Sequence, residues 1–462
     1  MSLALPRDGV AVGWRPELAT DLLRAPEAVD FIEVVPETCF AQPALRREAC
    51  AAAELWPVVP HGVKLSLGSA EGVDLERARR LGSLARELRA PAISEHVAIT
   101  RGGGREIGHL TPLPFTREAV EILARNVAAA RRVLPDVPLL LENVAWTFRW
   151  PEDAIPEGDF YREVVEATGC DLLLDVANLY ANALNSGIPP GQALSSYPLD
   201  RVAMVHMAGG AETEGFYLDT HAHAVPAAVF ELLGRVLEQT GPLPVVLERD
   251  ADFPPFDELL AETVQLRALL ARHPGRQILQ ADGQTTAFRM TSGPRSRTQD
   301  DAGLSARQAQ LATLLTAATP PGDGGAEGFD VAALRRTRSV LRHKRVDEVM
   351  PLLPRIAAGG EAARALAFAA LSGVARAASG AGVADALRVA EAGAGDPRLG
   401  PAARLDLLEL RSRFVVSDRD GARPRRGPFM GRERLPDGSG VWAVKGVGRE
   451  ARVRFFNRGG GR

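Results

Sequence analysis

The sequence predicts an α/β protein, a (β/α)8 TIM barrel followed by a smaller, mainly α-helical domain. Over about the first 275 residues, short apolar runs alternate with amphipathic helical patterns, the sequence form of repeated βα units around a parallel sheet. The runs number eight, the strand count of that barrel. A chain of 462 residues exceeds the roughly 250 that one such barrel takes, so a second unit should follow.

In order, strands are expected near 9–14 and 31–36, then near 56–60, 92–95, 137–142, 170–175, 201–206 and 243–248. The last six belong to the runs LWPVVPH, PAISEH, VPLLLEN, CDLLLDVAN, RVAMVH and PLPVVLE. Segments between them, such as LERARRLGSLARELR and TREAVEILARNVAAARRVL, repeat apolar residues every three or four positions with charges opposite, which suits an outer ring of helices. Loops after the strand ends then form the functional rim.

Domain limits follow from composition. Residues 1–275 read as the barrel. Residues 276–303 lose periodicity and gain Gly, Ser, Thr and charge, as a linker does. Residues 304–416 read as an Ala/Leu/Arg-rich helical domain with a binding or packing role. Residues 417–462 form a basic tail: from 419 onward twelve Lys or Arg stand against four Asp or Glu, a local net of +8. VWAVKG and ARVRFF within it are candidates for a β-hairpin.

With 46% hydrophobic residues, no apolar run approaches the roughly 20 residues that cross a bilayer, so no membrane partner is expected. The N-terminus lacks a basic region followed by a long apolar one, and a cytoplasmic location is expected. Cys39, Cys50 and Cys170 have no CxxC spacing and read as reduced thiols. A formal net charge of −3 predicts no global attraction to nucleic acid.

The polar residues at the run ends carry the chemistry. His61, His96, Glu142, Asp175, Asn178, His206, Asp219, His221 and Glu248 recur at or beyond strand ends, where a lone buried carboxylate or imidazole is costly. Four imidazoles, four carboxylates and one amide exceed what one ion uses, so two or three ions are implied, with shared carboxylates such as Glu142 or Glu248 as bridges. Asp219-Thr-His221 puts a carboxylate and an imidazole on one side of an extended segment. Nitrogen and oxygen donors fit Fe, Mn or Zn and disfavour Cu(I). His109, after a flexible RGGGREIG loop, and His223 are candidates for substrate contact. Asp250 is a candidate for support behind Glu248. Glu95, beside His96, should point away from it.

At these residues the chain resembles the DUF692 family, the multinuclear non-heme iron-dependent oxidative enzymes (MNIO). The matching segments are FIEVVPE, HGVKLSLGS, SEHVA, LLLENVAW, LLLDVANLY, VHMAGG, LDTHAHAVP and LERDADFPP, in family order over roughly residues 8–275. The resemblance implies a xylose-isomerase-like TIM barrel, with the nine residues above as metal ligands. It implies two or three iron ions in a mixed-valence Fe(II)/Fe(III) state and O2 as co-substrate. The implied substrate is a ribosomally made precursor peptide with a leader, modified at cysteine. Other members use a separate protein to recruit the leader, and the fused C-terminal region is expected to take that role here. Thr38, Ala177 and Gly210 depart from the family pattern, which places Asn, Asn and His there. The rival reading is a trinuclear zinc phosphodiesterase of the endonuclease IV type, against which Asn178 stands where a histidine is expected. A non-catalytic peptide-binding scaffold is the second alternative.

Overall fold

A computed structural model describes residues 5–274, 299–319, 326, 328–377, 380–417, 421–434, 440–447 and 453–458. The chain divides into two compact units, Met1–Thr100 with Leu110–Ser305, and Arg101–His109 with Ala306–Arg462.

The first unit is the expected TIM barrel. Its strands, numbered with the two hairpins they enclose, are β1 (Val10–Gly13), β2 (Phe31–Val34), β3 (Val58–Gly62), β4 (Ile93–His96), β5 (Ile99–Gly102), β6 (Arg105–Thr111), β7 (Leu139–Glu142), β8 (Asp171–Asp175), β9 (Val202–Met207), β10 (Gly209–Thr213), β11 (Phe216–His223) and β12 (Val245–Leu247). The closed sheet runs β1-β12-β9-β8-β7-β4-β3-β2, with its strands paired in parallel. Each strand is only three to six residues long and almost wholly buried, as parallel strands covered by helices must be.

Alternation along these strands explains both the core and the site. Ala11, Phe31, Val59, Leu140, Leu173, Met204 and Val246, one from each of seven strands, pack into one apolar cluster inside the barrel. Side chains two positions further along point the same way. Those positions hold Gly13, Glu33, His61, Glu142, Asp175, His206 and Glu248. An apolar layer is therefore capped by a polar layer, at the end of the barrel where the βα loops emerge.

The outer helices start as their caps dictate. Asp74 accepts from the amides of Glu76 and Arg77 to open the helix Leu75–Glu87, and Thr116 accepts from Ala119 N to open Arg117–Arg131. Left-handed Gly169 and Gly187 close Glu157–Thr168 and Val176–Ser186.

The expected flexible RGGGREIG loop is instead a hairpin of β5 and β6, turned at Gly103 and Gly104, whose φ values of 59° and 69° only glycine adopts at little cost. Its tip, residues 101–109, belongs to the second unit. There helices Val331–Val349, Glu361–Leu371, Ala381–Gly393 and Gly400–Arg413 bury Val349, Leu353, Ile356, Leu371, Val389 and Leu407 in a common core. Beyond them, β13 (Phe414–Ser417) pairs with β14 (Gly421–Pro424), and β15 (Phe429–Arg434), β16 (Gly440–Lys445) and β17 (Val453–Arg458) form an antiparallel sheet. Of the expected linker 276–303, residues 276–298 lie outside the described residues, and 299–303 open the helix Gln299–Thr316. Cys39, Cys50 and Cys170 are free thiols. No described helix is long and apolar enough to cross a membrane.

Candidate metal centre

The polar layer converges because parallel register sets its members side by side. Glu142 lies opposite His96 in the β4–β7 pair, and Asp175 opposite His206 in β8–β9. Four overlapping groups of donor atoms, each within 4.8 Å of one another, result: Glu33, His61, His206 and Glu248; His61, His96 and Glu142; Glu142, Asp175, His206 and Glu248; and Asp175, Asp219 and His221. Glu142 is shared by two of them, with Oε2 3.3 Å from Nε2 of both His61 and His96 and Oε1 3.3 Å from His206 Nδ1. Glu248 Oε2 approaches Nδ1 of His206 at 3.2 Å and of His221 at 3.3 Å.

Each imidazole is held from behind. His96 Nδ1–H donates to Gly62 O at 3.0 Å, which turns Nε2 toward Glu142. His61 Nδ1 bonds Ser94 Oγ at 2.9 Å. His206 Nε2–H donates to Glu33 Oε2 at 2.9 Å and presents Nδ1 to the cluster. Asn143 clamps the end of β8: its Oδ1 accepts from Asp175 N at 2.8 Å and its Nδ2 donates to Asp175 O at 2.9 Å. Asp175 also caps the next helix, Oδ1 accepting from Asn178 N at 2.8 Å while Oδ2 stays toward His221 Nε2, 3.9 Å away. Asn178 gives its Nδ2 to Asn143 O, leaving Oδ1 for the site.

Asp219 and His221 reach the site by a route that simple alternation does not describe. They meet at 2.5 Å, Oδ2 to Nε2, but His221 sits at a left-handed φ of 53°, a costly backbone for a residue with a side chain. His221 O accepts from Asp250 N at 2.8 Å, tying β11 to the loop after β12. Asp250 in turn faces His221 Nδ1 at 3.4 Å and takes both Nε and Nη2 of Arg15, at 3.1 and 2.5 Å. Gly13 makes room for that arginine, since a Cβ there would lie 2.9 Å from Arg15 Nη1.

The donor set fits metal ions on a direct observation. Glu33 Oε1, Glu142 Oε2, Asp175 Oδ2, Asn178 Oδ1 and Asp219 Oδ1 are buried without a hydrogen-bond partner, and His206 Nδ1 and both ring nitrogens of His221 face carboxylates without hydrogen-bond geometry. An unsatisfied buried polar atom costs about 1–3 kcal/mol, and a buried charge several. That many together would outweigh the roughly 5–15 kcal/mol of a domain's net stability, so a compensating positive charge belongs here. Burial, then Asp219 and Glu142, push the Asp175 carboxyl well above its ordinary range. Burial opposes the charged form of Glu142, and His96, His206 and His61 overcome it, holding it down to about 2.

The remaining candidates lie outside the four donor groups. His109 lies on β6, in the second unit. His223 is exposed at the end of β11, its Nδ1 3.0 Å from Thr220 Oγ1, and belongs to none of the donor groups. The Glu95 carboxylate accepts from Leu65 N and His96 N and is also outside them. Thr38 hydrogen-bonds Val35 O on the surface, and Ala177 is buried. No side chain fits at Gly210 on this backbone, because a Cβ would come within 2.3 Å of Leu218 O.

Fold and site together define a TIM-barrel protein whose mouth carries buried His, Glu and Asp clusters that could hold metal ions. Residues 9–271 match the family described as the RiPP precursor modification enzyme MbnB/TglH/ChrH, RiPP denoting a ribosomally made, post-translationally modified peptide. The chain belongs to this family, which is the DUF692 family that the sequence segments resemble. It is 36% identical to a UPF0276 protein of Streptomyces avermitilis over 403 residues, 76% of this chain and 81% of that one. It is 38% identical to a UPF0276 protein of Caulobacter vibrioides over 265 residues, 57% and 94% of the two chains. Among solved structures, endonuclease IV from Thermus thermophilus is similar at a TM-score of 0.39 and 18% identity, covering 57% of this chain and 99% of that chain, a likeness that says nothing of activity.

Proposed function

We propose that this chain is an iron- and O2-dependent enzyme that oxidises a precursor peptide at cysteine, its C-terminal unit recruiting the leader. The observation that carries the reading is the buried nitrogen/oxygen donor cluster with its unpartnered atoms, in a member of a precursor-modifying family.

Two or three iron ions would be held by His61, His96 and Glu142, by Glu142, Asp175, His206 and Glu248, and by Asp175, Asp219 and His221, with Asn178 Oδ1 as an added donor. When bound, the ions supply one-electron redox chemistry with O2 and a seat for a cysteine thiolate. The chain supplies positioning. Glu33, Gly62 O and Ser94 fix three imidazole orientations before any ligand arrives, so little reorganisation is needed. Asn143 and the capped helix Val176–Ser186 fix Asp175 and Asn178. The Arg15–Asp250 pair steadies His221 from the rim and places a fixed cation beside the carboxylate cluster.

Iron-loaded protein incubated in air with a cysteine-containing peptide from a neighbouring reading frame should change the peptide's mass while O2 is consumed. Bound zinc, with neither O2 uptake nor mass change, would overturn the reading in favour of hydrolysis.

A further inference from the structure

The C-terminal unit has its own concentration of buried charge. Arg338, Arg342, Arg345 and Arg376 line one cavity of about 40 Å³. Two of the four are matched: Arg345 forks onto Asp385, with Nη2 2.6 Å from Oδ1, and Arg376 pairs with Glu348. Arg338, only 7% exposed, gives its two terminal nitrogens to Leu314 O and Ala317 O at the end of the helix Gln299–Thr316, and meets no carboxylate among the described residues. Arg342 is half-buried near the Phe368 ring, 5.9 Å from its centroid, again with no carboxylate among the described residues.

Four cations against two anions leave a surplus of two in a largely desolvated place. Nε of Arg338 and of Arg376 are buried with no hydrogen-bond partner. Burial, and then the neighbouring Arg342, lower the pKa of Arg338. Carbonyl capping accounts for the terminal nitrogens of Arg338. It leaves the surplus charge and the two Nε donors without a partner.

We propose that this cavity binds the carboxylate of an acidic peptide side chain. Guanidinium groups present donors in a planar fork that matches a carboxylate's two oxygens. The volume would hold about three or four waters, close to the three heavy atoms of a carboxylate. Ile107, Leu341 and Leu371 add apolar walls suited to a methylene stem, which a free inorganic anion lacks. The bearer is an acidic residue of the precursor's leader, and that assignment rests on the peptide-modifying reading above.

The test is calorimetric titration of the full-length protein with N-acetyl-glutamate N-methylamide, its glutamine counterpart, and inorganic phosphate. The glutamate probe should bind, the glutamine probe should not, and Arg342→Gln should weaken the glutamate probe by about tenfold or more, the worth of a charged hydrogen bond. Arg338→Lys keeps the charge and removes the unpartnered Nε donor, and should also weaken binding while the melting curve stays cooperative. Equal binding of phosphate, or unchanged affinity in Arg342→Gln, overturns the site. Excess glutamate probe should displace the precursor peptide, and failure to do so overturns the leader assignment. Probe binding that persists while no peptide is ever oxidised counts against the oxidative reading alone.

Discussion

Glu33 shows how a residue escapes a search by motif and is caught by geometry. It sits inside FIEVV, within the strand, rather than at the strand end where a ligand announces itself. Counting two positions on from Phe31, as from Val59 to His61 or Leu140 to Glu142, lands on it directly, so the signal was present once the apolar layer was known. Its contact with His206 Nε2 makes Glu33→Gln a specific probe. Metal affinity should fall roughly 10–100-fold, the usual cost of losing a ligand-orienting partner, with barrel circular dichroism unchanged. Affinity equal to that of the parent would show that His206 orients itself. Asn143 was hidden for another reason: an amide after a strand reads as a turn residue, and only the β7–β8 pairing reveals the clamp. Glu37 gives a pH signature. Burial, then Glu95, raise its pKa from 4.5 to about 7. The folded state therefore keeps a proton that the unfolded chain releases between about pH 4.5 and 7, and this group's contribution to stability falls as pH rises across that window. Glu37→Gln is neutral throughout, so its melting temperature should gain on the parent from pH 5 to pH 8 and run level below pH 4. A constant difference across that range would contradict the raised pKa.

Elements differed in how openly the sequence announced them. The eight barrel strands were legible because buried parallel strands are continuous apolar runs, and the structure finds each within about two residues of its expected place. The hairpins β5–β6 and β10–β11 were not, since glycine-rich polar segments read as loops until tertiary pairing is seen. In β11 the alternation that grouped Asp219 with His221 is interrupted by the left-handed backbone at His221, so their meeting depends on a kink no period predicts. The hairpin offers a clean backbone test. Gly104, at φ 69° with open space where a Cβ would go, should tolerate alanine sterically but not conformationally. Gly104→Ala should cost about 1 kcal/mol, or roughly 2–4 °C in the melting of a unit of this size. No shift would mean the turn relaxes freely.

At the scale of the whole molecule, the barrel mouth gathers carboxylates and imidazoles that fold together only against opposing charge. Metal binding at this cluster would be coupled to barrel stability. Chelation should lower the melting temperature by roughly 5–10 °C for ions bound at about a hundred times their dissociation constant, and Fe(II) should restore it. A melting curve indifferent to chelator would argue that the carboxylates are compensated by protons instead. Nothing in the composition indicates that residues 101–109, encoded within the first unit, pack with the second. That interleaving has a consequence during synthesis. The ribosome completes the hairpin tip at residue 109 and reaches the rest of that unit only at residue 306, 197 residues later. At about 5–20 residues per second, Ile107 waits roughly 10–40 s for its neighbours. A chain cut after the barrel would leave Ile107 without those neighbours permanently.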